Sequence, residues 1–170
     1  MNISTVFFDL GNTLLHNHYL NDSSIRTACR KMAERFASLG YHVDIHALAE
    51  QHFRILNRYY NHRDIDYIEQ SAEYVLRQTL EIMGFDSIPE KDIFTALASF
   101  YSSTQENWKL SPFAVETLET LTAQKKKIGL ITNASYAEDI RQLLSKHRIG
   151  QYFSQIIISA EAGYRKPRKE

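Results

Sequence analysis

Ser4-Thr5-Val6-Phe7-Phe8-Asp9-Leu10-Gly11-Asn12 is a short β-branched and aromatic run that breaks off at an aspartate and a glycine-containing polar turn. Such a run reads as a buried strand, and a polar turn directly behind it reads as a place where function is carried. Two later stretches have the same character: Lys127 to Thr132, with Ile128, Leu130 and Ile131, and Gln155 to Ser159, with Ile156, Ile157 and Ile158. They are expected to be neighbouring strands.

Between the first two runs the periodicity is helical. Ile25, Cys29, Met32, Phe36 and Leu39 recur at spacings of four and three before Gly40, which places a helix over 22–39. Asp44 can cap a second helix carrying Ile45, Leu48, Phe53, Leu56 and Tyr60. A third carries Ile68, Ala72, Val75, Thr79 and Met83, and Pro89 suits the first turn of a fourth with Ile93, Leu97 and Phe100. Helices in that number after a single strand are too many for a strand–helix alternation, so they should pack on one another as a bundle. Alternation then resumes, with helices from Pro112 through Leu121 and from Tyr136 to Lys146 between the remaining strands.

The expected fold class is α/β: a Rossmann-like parallel sheet core interrupted by an inserted α-helical bundle. Residues 1–15 and 108–170 form the core and 16–107 the cap, with the chain crossing between them near 15 and 108. In parallel α/β sheets, ligands bind at the carboxyl ends of strands. Asp9, Thr132 with Asn133 behind it, and Lys166 in Gly163-Tyr164-Arg165-Lys166-Pro167 all fall at or just after such ends. A carboxylate, a hydroxyl and an ammonium would thus converge on one crevice.

Composition sets limits on partners. Twenty basic residues balance twenty acidic ones, so no global field draws the chain to nucleic acid or an anionic membrane. No stretch reads as a secretory leader or a membrane span. The single cysteine, Cys29, lies on an apolar helical stripe and reads as core, and a chain without an internal disulfide suits a reducing, cytoplasmic setting.

Phe7-Phe8-Asp9-Leu10-Gly11-Asn12-Thr13-Leu14 resembles the first motif of the haloacid dehalogenase-like hydrolases, Ile131-Thr132-Asn133 the second, and Gly163 to Pro167 the third. Trp108-Lys109-Leu110-Ser111-Pro112 is similar to the family's return from cap to core. The resemblance implies a Mg²⁺-dependent phosphatase acting on a small phosphorylated metabolite. Asp9 would be the nucleophile and form an aspartyl-phosphate, Thr132 and Asn133 would bind the phosphoryl group, and Lys166 would balance its charge.

The sequence also departs from the family. The second aspartate that handles protons in its phosphatases is replaced by Gly11, whose backbone carbonyl is all that is left for a metal shell. His16 and His18, just beyond, are candidate replacements for the proton donor. A halide leaves without a proton, so a 2-haloacid dehalogenase-type hydrolase is the alternative enzyme. The fourth motif, an acidic pair, would fall beyond Glu170, which implies a sheet incomplete at its C-terminal side and admits a catalytically silent binding module. Tyr59, Tyr60, His62 and Arg63 lie between the second and third helices and read as bundle surface rather than as pocket. The family's strand order leaves one edge of the Asp9 strand unpaired, an invitation to self-association.

Overall fold

The computed structural model describes residues 3–19 and 21–168. Met1 and Asn2, on which part of the leader reading rests, and Lys169, one of the basic neighbours of Lys166, lie outside it. The strands and helices follow the order β1 (Thr5–Phe8), β2 (Leu15–His16), α1 (Asp22–Ser38), α2 (Ile45–Asp66), α3 (Ala72–Ile82) and α4 (Glu90–Gln105), and continue with β3 (Lys109–Leu110), α5 (Ala114–Ala123), β4 (Lys127–Thr132), α6 (Ala137–Lys146), β5 (Gln155–Ile158) and α7 (Ser159–Ala162). The architecture is α/β, with a parallel sheet in the order β1-β4-β5.

Two hydrophobic clusters organise the chain. One joins α1 to α4 through Met32, Phe36, Leu48, Leu76, Ile93 and Leu97, all fully buried, with Tyr41 stacked on Phe36 at 4.2 Å. Local chemistry starts these helices: Asn21 and Ser24 form a reciprocal capping box, and Asp44 and Ser71 accept from Ala47 N and Tyr74 N. The other cluster packs Leu118 of α5 and Ile140 and Leu143 of α6 with Leu10, Leu15, Ile128, Leu130 and Ile158. Between the clusters, β2 and β3 pair antiparallel, Leu15 with Leu110 and His16 with Lys109.

Three sequence expectations change. The first strand is not buried: among the described residues β1 pairs with β4 alone, and Phe7 is 49% exposed. Its ring lies over Gly129, where a Cβ would stand 2.3 Å from Phe7 Cε1, so a side chain at 129 would force the ring to move. The third helix begins at Ala72, and Ile68 sits in an antiparallel bridge with Tyr164. Tyr67, at φ 55°, ends α2 there and turns the chain toward Gly163–Arg165. Helix α5 starts at Ala114, after Phe113 in the left-handed region. No helix among the described residues is long and apolar enough to cross a membrane.

Candidate active site

Asp9 follows β1 directly, and its Oδ1 accepts a hydrogen bond from Leu10 N at 2.8 Å. The turn behind it is folded by its own backbone, with Leu14 N and Leu15 N both donating to Leu10 O at 2.9 Å and Asn12 N donating to Leu15 O at 2.7 Å. Leu10, Leu14 and Leu15 are buried, so the apolar residues of this segment anchor the turn while Asp9 stays half-exposed.

Lys166 meets Asp9 from the other end of the chain, with Nζ 3.2 Å from Oδ1. The ammonium also donates to Ile131 O, on the strand that carries Thr132. Asn133 fixes the Lys166 backbone at two points: its Oδ1 accepts from Lys166 N at 2.8 Å and its Nδ2 donates to Lys166 O at 3.0 Å. Thr132 ends β4 and is 4% exposed. The structure therefore brings Asp9, Thr132, Asn133 and Lys166 to one end of the parallel sheet.

A cavity of about 160 Å³ is lined by Thr132 and Asn133 of this group and by Leu10 and Gly11, which follow Asp9. Tyr60, Arg63 and Tyr101 line it from α2 and α4, and Asp139 from α6. Trp108 lies beside Gly11, its Cη2 3.6 Å from the place a Cβ would take. The Arg63 guanidinium sits 4.4 Å from the Tyr60 ring centroid, and its Nε is buried without a hydrogen-bond partner. Tyr60 and Arg63, expected on the bundle surface, face this cavity instead. Of the other two residues in that group, His62 is exposed and bonded to Arg58 O, and Tyr59 is buried against Glu69. A larger cleft of about 240 Å³ shares Arg63 but contains none of the strand-end residues.

His16 and His18 follow the Asp9 turn, on the segment that runs through β2. Their rings lie 4.7 Å apart, His16 within β2 and His18 exposed, and neither lines the cavity. The acid that does line it is Asp139, 9% exposed, whose Oδ1 accepts from Gln105 Nε2 at 2.6 Å. Burial pushes its carboxyl up to about 6, against the lowering effect of that hydrogen bond. In the sequence Asp139 is only an acidic residue in the first turn of a helix, and nothing in its spacing marks it. Glu69 was equally silent, since no helical or strand period includes it.

The family of haloacid dehalogenase-like hydrolases matches residues 43–170. The chain belongs to this family. The matched region takes in the Thr132 and Lys166 segments and begins after Asp9, whose place beside Lys166 is seen in the fold. Among solved structures, the chain is similar to the putative hydrolase YfnB of this superfamily from Bacillus subtilis, described as bound to magnesium. That likeness covers 99% of this chain and 68% of the other, with a TM-score of 0.50 at 15% identity. A putative β-phosphoglucomutase from Thermotoga maritima aligns over 92% of this chain and 62% of its own, with a TM-score of 0.51 at 18% identity. The L-2-haloacid dehalogenase from Xanthobacter autotrophicus aligns over 98% and 61%, with a TM-score of 0.47 at 16% identity. At these identities the likeness shows the fold alone. No curated protein matches the chain in sequence.

The donor set at the site is sparse for the Mg²⁺ expected from the sequence. Asp9 offers one carboxylate, already paired with an ammonium, and Gly11 one carbonyl. Among the described residues no three histidine, cysteine or acidic side chains cluster to hold a metal. Octahedral Mg²⁺ needs near-ideal oxygen coordination, so these protein donors do not form a resident site on their own.

Proposed function

We propose that this hydrolase is a phosphatase for small phosphorylated metabolites, using Asp9 as its nucleophile. The observation that carries the reading is the Asp9–Lys166 pair, 3.2 Å apart at the carboxyl end of the sheet, with Thr132 and Asn133 beside it. The Asp9 carboxylate would attack phosphorus, breaking the bond to the leaving oxygen and forming an acyl phosphate. Lys166 would offset the charge that gathers on the transferring oxygens, and Thr132 and Asn133 would hold them. Asp139 would give its proton to the leaving oxygen and then take one from the water that releases phosphate and restores Asp9. Residues 16–107 are taken as the cap, and the cavity wall it supplies, with Tyr60, Arg63 and Tyr101, as the part that selects the substrate.

The test is release of phosphate from a generic aryl phosphate, measured with and without added Mg²⁺. Turnover that disappears in Asp9→Asn supports the reading, and turnover that survives it removes Asp9 as nucleophile. One observation favours a second reading, hydrolysis of a 2-haloacid: Trp108 fills the space beside Gly11, leaving an aromatic wall where an acid would stand. Metal-independent halide release without phosphate release would select it.

A further inference from the structure

Glu69 lies in the connection between α2 and α3, outside every motif, yet its side chain is fully buried. Its two oxygens receive three donors. Tyr59 Oη donates to Oε1, while Arg165 Nη1, at 2.7 Å, and Ser159 Oγ donate to Oε2. Backbone bonds fasten the same segment to the core: Glu69 N donates to Gly163 O at 3.0 Å, and Arg165 N to Tyr67 O at 2.8 Å. A buried carboxylate with this many charged and neutral partners is held in one geometry, because losing any of them strands a desolvated group.

Both arms of this network end on the candidate site. Arg165 is the residue before Lys166, whose ammonium meets Asp9. Ser159 spends its proton on Glu69, which aims its oxygen back to accept Ala134 N at 2.8 Å, two residues beyond Thr132. Asn133 ties the two arms together through the Lys166 backbone. We propose that Glu69 is a positioning residue. From the cap side it sets the loop that carries Lys166 and the turn that follows Thr132, so that ammonium and hydroxyl stand together at Asp9. This rests on the reading of Asp9 and Lys166 as the reacting pair, but the placement itself can be tested without any reaction.

Glu69→Gln alone would leave the buried Arg165 with only the exposed Asp64 carboxylate, 3.3 Å from Nη2, as its charged partner. The informative variant is therefore Glu69→Gln combined with Arg165→Met, which removes the charges together. Amide hydrogen exchange in the full chain is the readout. The Ala134 and Lys166 amides should exchange at least about tenfold faster than in the parent, while amides inside α1 and α4 keep their rates. Ser159→Ala, a milder change, should release Ala134 and leave Lys166 protected, and it decides the matter if the double variant does not fold. At a temperature far below the melting midpoint, kcat on an aryl phosphate should fall at least about tenfold in the double variant, with KM changed less than about threefold. Unchanged protection at Ala134 in Ser159→Ala overturns the proposal, as does unchanged protection at both amides in a folded double variant. A parent protein with no phosphate release removes the phosphatase reading, and the exchange rates still decide what Glu69 positions.

Discussion

The Lys166 ammonium stands 3.2 Å from Asp9 Oδ1, although the two residues lie near opposite ends of the chain and neither is buried. Half-exposed ion pairs contribute about 0–1 kcal/mol to stability. Folding therefore gains little from this contact, and its two-point support by Asn133 makes more sense as preparation of a charged site than as a stabilising device.

Substitution should accordingly separate activity from stability. Asp9→Asn is expected to lower phosphate release by about a thousandfold or more, as expected for loss of a nucleophile. Lys166→Met is expected to lower kcat while shifting the thermal midpoint by no more than about 3 °C. A large loss of stability in Lys166→Met would show that the pair serves the fold instead.

Asp139 should make stability fall as pH rises. Its folded carboxyl is held up at about 6 by burial, above an ordinary carboxylate near 3.8, so the folded state binds the proton more tightly. The stabilisation is fully present below about 4 and is lost as pH climbs through 6, with a magnitude on the order of 3 kcal/mol. Asp139→Asn can still accept from Gln105 and should flatten this slope, raising stability at pH 7 while lowering turnover. Urea titrations across pH 4–8 would check the first effect, and a variant no more stable than the parent at neutral pH would refute it.

His52 should act with the opposite sign. It is 3% exposed, and burial holds its imidazole down at about 4. Thr79 Oγ1 already donates to Val75 O, so the ring's Nδ1 must be the donor in its 2.9 Å bond to Thr79, which defines a neutral tautomer. Its contribution is complete above about 6.5 and is lost as pH falls through 4, again on the order of 3 kcal/mol. His52→Gln should be less stable at pH 7 and lose less on acidification, a difference visible in thermal midpoints at pH 7 and 4.5.

The open side of β1 is expected to promote self-association. Among the described residues Thr5 to Phe8 pair only with β4, and Ile3 and Phe7 are 63% and 49% exposed, so a second copy of the chain has both an open edge and apolar side chains to meet. Size-exclusion chromatography should show a concentration-dependent shift that Phe7→Lys suppresses. A monodisperse monomer with strongly protected amides over residues 4–9 would end this expectation.

Much was legible in the sequence because the signals are local. Apolar spacing and caps determined α1, α2 and α4, the β-branched runs determined β4 and β5, and Asp9 and Thr132 were marked by the points where two of those runs stop, while Lys166 follows the short helix α7 after β5. The interior of the site was not legible. Asp139 is an unmarked acid in a helix's first turn, and only the packing of α4 against α6 buries it beside Gln105 and raises its carboxyl. Glu69 belongs to no period, and its meeting with Arg165 and Ser159 depends on the segment after Tyr67 leaving the helix to bridge Tyr164. The exposure of Phe7 likewise depended on strand order, since a run of apolar residues states that a strand forms but not which neighbours it finds. Periodicity records what a residue does to its own segment, whereas burial, pairing and charge environment come from segments far away in sequence, and those are settled only when the chain is folded.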